Sequence, residues 1–66
     1  MREYDDVKTE VRKYLDEIYD ESITLPENFG EEVLEEITAR FIEDGYEVTK
    51  QTVIEVMLWC YMSRMQ

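Results

Sequence analysis

Carboxylates are the reactive groups this chain supplies in number. Asp16, Glu17, Asp20, Glu21, Glu27, Glu31, Glu32, Glu35, Glu36, Glu43, Asp44 and Glu47 put twelve acids between residues 14 and 47, where Arg40 is the single base. Such a concentration supports three chemistries: acid–base catalysis, cation coordination, or contact with a positive surface. Acid–base work needs one carboxyl desolvated so that its pKa rises. These acids fall on polar faces of helical patterns, where they stay solvated and ionised. The chain has no histidine, and its lone cysteine, Cys60, sits in an apolar segment without an adjacent base. It reads as a small buried hydrophobe and not as a nucleophile. Neither catalysis nor a cofactor is expected.

Cation coordination has one candidate frame. Asp20, Ser22, Thr24, Asn28 and Glu31 occupy ligand positions of a twelve-residue calcium loop between two helical patterns. The frame fails at its sixth position, Leu25, where glycine makes the sharp turn, and again at Pro26. Most of the remaining donors are weak neutral oxygens, so no metal site is expected.

Contact with a positive surface is what remains. Mixed-sign faces are the usual solution for solubility, and self-repulsion is a cost that a net charge of −10 imposes on a 66-residue chain. Glu31, Glu32, Glu35 and Glu36 lie within about 7.5 Å of helix axis, at ~1.5 Å per residue. That is one negative charge per roughly 2 Å, close to the ~1.7 Å of duplex DNA. A rigid helix carrying this row can enter a basic groove built for phosphates. In size and charge the chain is similar to acidic phage-encoded inhibitors of restriction or CRISPR machinery, which act this way as a class. No motif ties it to any one of them. The expected partner-binding residues are Asp16, Glu17, Asp20 and Glu21, with Glu31, Glu32, Glu35 and Glu36, and the turn between the helices is expected to bring the two groups together. The expected partner is a basic, nucleic-acid-binding protein, with no direct contact to nucleic acid.

These acids must be positioned by helices. Tyr4, Val7, Val11, Tyr14 and Ile18 recur at spacings of 3-4-3-4, with Leu15 and Tyr19 widening the stripe, which predicts a helix over about Glu3 to Glu21. Its last two turns carry Asp16, Glu17, Asp20 and Glu21, where the helix dipole favours positive charge. Helix stability therefore does not explain those four. Thr24 and Glu27 match a capping box, and Pro26 suits a first helical turn. The next helix, about Glu31 to Glu43, buries Val33, Leu34, Ile37, Phe41 and Ile42 and ends at Gly45.

Thr49 is a good N-cap for a third helix from Lys50 to about Met65. Val53, Ile54, Val56, Met57, Leu58, Trp59, Tyr61 and Met62 surround nearly its whole circumference. A helix apolar on all sides must be covered on all sides. Two short amphipathic helices can cover only part of it. A second copy of the chain, or a partner protein, is expected to cover the rest, a homodimer burying some of Val53, Val56, Trp59 and Cys60 while Ile54, Met57, Leu58 and Tyr61 face the protomer's own core. The fold class is accordingly an all-α, three-helix bundle with a central hydrophobic C-terminal helix, one domain over residues 1–66.

The most specific local pattern is Gly45-x-x-Val48-Thr49-x-x-Thr52-Val53. It resembles the turn and second-helix start of bacterial helix-turn-helix regulators, the arginine-repressor type among them, over about a third of the chain. The resemblance implies that Lys50, Gln51, Thr52 and Glu55 face bases. The charge departs from that family, because Arg40 and Lys50 are the only bases between Tyr14 and Ser63. Phosphate contacts supply most of a DNA reader's affinity. A helix-turn-helix regulator is thus the second reading, and an assembly subunit whose acidity only solubilises it the third.

Size and composition set the compartment. A secreted domain this small usually needs disulfides, and one cysteine cannot make an internal one, so a reducing cytoplasm is expected. Met1 to Asp6 has no apolar core of a signal peptide, and the run Val56 to Met62 is too short to cross a bilayer.

Overall fold

The computed structural model describes residues 3–22 and 30–64. Three helices account for most of them: α1 (Tyr4–Glu21), α2 (Glu31–Asp44) and α3 (Lys50–Arg64). Among the described residues there is no strand, and each helix packs against both others. This is the all-α three-helix bundle that the periodicity predicts, with helix ends within a residue of expectation. The proposed capping box at Thr24 and the centre of the calcium frame lie outside the described residues.

The α1 stripe enters the core through Val7, Val11, Leu15, Ile18 and Tyr19, whose spacing of about four residues is one face of a helix. Tyr4, expected in the stripe, is exposed, and Tyr14 is half-buried. From α2 come Leu34, Ile37, Thr38 and Phe41. Ile42 is exposed instead of buried, since it falls one position past the inward arc. Thr38 is tolerated in this core because its hydroxyl donates to the Leu34 carbonyl at 2.7 Å, leaving no unsatisfied polar atom.

The α2–α3 corner is fixed by backbone chemistry. Gly45 takes φ 72°, ψ 22°, the left-handed conformation that ends helices, and its N–H donates to the Phe41 carbonyl at 3.0 Å. Val48 is buried beyond it, and the Tyr46 ring meets Phe41 edge-on at 6.3 Å. Thr49 caps α3 reciprocally. Its hydroxyl accepts from the Thr52 N–H at 3.1 Å, while the Thr52 hydroxyl accepts from the Thr49 N–H at 2.9 Å. This is capping-box geometry with threonine where glutamate is usual.

The facing of α3 corrects the expectation for self-association. Val53, Val56 and Cys60 are buried in the protomer's own core with Met57, so they are closed to a second copy. Leu58, expected to face inward, is 50% exposed, beside Trp59 at 53% and Met62 at 61%. Only Trp59 of the four expected interface residues is open. The inward arc 53, 56, 57, 60 is an ordinary i, i+3, i+4, i+7 stripe. Phe41, Leu15, Leu34 and Ile37 already fill the centre, which leaves small side chains such as Val53 and Cys60 to meet them at close range. α3 therefore packs against both other helices and keeps one apolar side uncovered.

Candidate protein-binding surfaces

Seven of the eight acids named from the sequence are exposed, and Glu36 is half-buried. Their electrostatic settings divide them. Glu31 lies 3.1 Å from the Lys8 ammonium and 3.3 Å from the Arg12 guanidinium, and Glu35 lies 4.0 Å from Lys8. The hydrogen bond from Lys8 holds the Glu31 carboxyl below its ordinary pKa, and the same contact raises that of Lys8. In this row only Glu32 has no ion pair or hydrogen bond among the described residues. The dense row expected on α2 is thus answered by two bases of α1.

The other acidic group stands more openly. Asp16, Glu17 and Asp20 have no base within 4.0 Å among the described residues. Glu21 receives Lys50, whose ammonium lies 2.9 Å from each carboxylate oxygen and has a raised pKa through that bond. The charge that α1 places against its own dipole is relieved by a base from α3.

The ion pairs place Glu31 and Glu21, the far members of the two groups, at different levels of α1. α2 begins beside Lys8 and Arg12, in the N-terminal half of α1, whereas Glu21 sits beside Lys50. Nine to thirteen helical residues separate these levels, or ~14–20 Å at ~1.5 Å each. The turn expected to bring the groups together lies outside the described residues, and Asp16 stands one helical turn, ~6 Å, beyond Arg12, which holds Glu31.

No family model, curated protein or solved structure matches this chain. Its surfaces must speak for themselves.

Arg40, the lone base in the acidic stretch, is turned away from the acids. Its guanidinium lies 5.3 Å from the centre of the Trp59 ring and makes no ion pair among the described residues. Lys50, Gln51, Thr52 and Glu55, which the helix-turn-helix resemblance points at bases, are engaged internally. Lys50 holds Glu21, Gln51 donates to Glu55 at 3.3 Å, and the Thr52 hydroxyl donates to the Glu47 carbonyl at 2.7 Å.

A second surface escaped the sequence reading. Tyr46, Thr52, Glu55, Val56 and Trp59 line an open cleft of about 220 Å³ between the corner and α3. Leu58 and Met62 extend the exposed apolar area next to it. One signal was available: Thr52, Glu55, Val56 and Trp59 follow one another at helical spacing, so they share a face. What periodicity leaves out is Tyr46, which only the corner brings to that face. Elsewhere the Tyr19 and Tyr61 hydroxyls join α1 to α3 by a hydrogen bond, and burial raises the Tyr19 pKa. Among the described residues, no helix is long and apolar enough to cross a membrane, and no group of acids and cysteine is arranged to hold a metal ion.

Proposed function

We propose that this protein is a non-enzymatic binding module that meets a basic, nucleic-acid-binding protein and blocks or modulates it, in the manner of a DNA mimic. The observation that carries the reading is the open acidic end of α1: Asp16, Glu17 and Asp20 are exposed, with no base within 4.0 Å among the described residues. α2 contributes less than its sequence promises, because Glu31 and Glu35 face Lys8. The engagement of Lys50 by Glu21 favours this reading over direct DNA binding, since it occupies the one base at the start of α3. The compartment that suits such a partner is the cytoplasm.

The test is competition. A small basic DNA-binding protein is mixed with labelled duplex, and the acidic protein is added at low and at high salt. Displacement of DNA is expected at low salt and should fade as salt rises, because counterions screen the contact. The triple variant Asp16→Asn, Glu17→Gln, Asp20→Asn should lose displacement while retaining helicity. Displacement undiminished in that variant would sink the reading, and retardation of the duplex by the acidic protein alone would favour the helix-turn-helix regulator.

Self-association belongs to the same proposal in reduced form. Leu58 and Met62 are the exposed apolar residues left for a second copy, and the net charge of −10 on each copy opposes the pairing. Light scattering at high micromolar concentration and 0.3 M salt should give a mass above the monomer's, falling on dilution. A monomer mass throughout would remove the homodimer.

A further inference from the structure

The cleft beside Trp59 has a composition that selects its occupant. It is lined by two aromatic residues, Tyr46 and Trp59, by buried Val56, and by the polar residues Glu55 and Thr52. Among the described residues no lysine or arginine lines it, although Arg40 lies against the Trp59 ring. Aromatic faces attract cations, tryptophan most strongly, and a carboxylate beside them adds a charged acceptor. The protein's own Arg40 guanidinium already lies 5.3 Å from the Trp59 ring centre, so an incoming arginine must take the other face of the ring or displace it. At about 220 Å³ the cleft is smaller than the ~300–1,000 Å³ of drug-sized ligand sites, and its size suits one long side chain.

We propose that this cleft is an arginine-binding site, receiving one arginine side chain of a basic protein partner. Arginine fits better than lysine because its planar guanidinium stacks on aromatic rings while its fork of donors reaches a carboxylate. Gln51 donates to one Glu55 oxygen at 3.3 Å, and the other oxygen remains as an acceptor. The arginine's methylene stem meets Val56. The inference rests on the reading of a basic partner and adds to it a point of specificity away from Asp16, Glu17 and Asp20.

Trp59 is the only tryptophan, so its emission reports on the cleft directly. The probe is the blocked pentapeptide Gly-Gly-Arg-Gly-Gly, titrated into the whole protein at a concentration where light scattering gives the monomer mass. Its counterparts carry lysine or the neutral isostere citrulline. A saturable emission change is expected with arginine, a weaker one with lysine and none with citrulline. Glu55→Gln and Tyr46→Leu should each raise the half-saturation concentration about five-fold or more, whereas Glu10→Gln, an exposed acid of α1, should change it by less than about two-fold. Both cleft positions are exposed, and circular dichroism confirms that the variants keep their helices.

Equal binding of the citrulline or the lysine peptide would overturn the assignment, as would an unchanged Glu55→Gln midpoint or a Trp59 signal indifferent to arginine. A peptide-independent emission shift that tracks dimer formation would hand the cleft to a second copy and overturn it likewise. The DNA-displacement assay separates this failure from that of the wider reading. If Glu55→Gln displaces DNA as the wild type does while the Asp16, Glu17, Asp20 variant does not, the partner class stands without the cleft.

Discussion

Single residues fix the corner on which the α3 surface depends. Gly45 adopts φ 72°, and a Cβ placed there would meet nothing within 4 Å. The cost of a side chain at this position is therefore backbone strain alone. Gly45→Ala should destabilise the protein by about 1 kcal/mol, within the range that left-handed geometry imposes on an L-residue. Urea unfolding would check this, with the midpoint lowered and the slope unchanged. A neutral result would mean that the corner relaxes without its left-handed residue. Both this glycine and the Thr49 cap were legible in the sequence, because each acts on backbone within a few residues of itself. The direction of Arg40 was not, since its ring partner lies nineteen positions away and only packing supplies it.

At the scale of the element, the pairing of α1 with α2 is electrostatic at the rim and apolar within. Val7, Val11 and Leu15 meet the α2 face of Leu34, Ile37 and Phe41, while Lys8 and Arg12 reach Glu31. The Glu31 carboxyl titrates below its ordinary range because Lys8 bonds its charged form. A carboxyl with a depressed folded-state pKa stabilises fully above its unfolded value, near 4.3, and the contribution is lost as pH falls through the folded pKa. Glu31→Gln should accordingly be less stable than the wild type at pH 7, and the difference should close on acidification below pH 4. Urea midpoints at the two pH values measure it. A difference that persists in acid would assign the role of Glu31 to packing instead of charge.

At the scale of the whole molecule, a net charge of −10 is carried on a body of 35 × 26 × 20 Å. The screening length falls from ~30 Å at 0.01 M salt to ~8 Å at 0.15 M. Like charges across the bundle therefore repel at low salt and largely cease to do so at moderate salt. The ion pairs of Lys8 and Lys50 weaken over the same interval, but they are few and solvent-exposed. Stability to urea should rise as sodium chloride increases from 0.01 to 0.15 M. A fall would show that attraction across the helix rims outweighs the general repulsion.

The sequence by itself determined the three helices, their ends and, apart from Tyr4, Ile42 and Thr38, the inward stripes of α1 and α2, because each is a local periodicity or a local cap. It also determined the acidity of the middle half. Which side of α3 faces inward was decided only by the tertiary structure. A helix apolar on all sides gives periodicity nothing to choose between, so the volume left by Phe41, Leu34 and Leu15 selected Val53, Val56, Met57 and Cys60. The same holds for the charges. Composition counts Glu31 and Glu35 equally with Asp16 and Asp20, yet packing sets the first two against Lys8 and leaves the second two open. The cleft of Tyr46, Glu55 and Trp59 belongs to that class as well, since it exists only where the corner folds one aromatic ring beside the helix that carries the other.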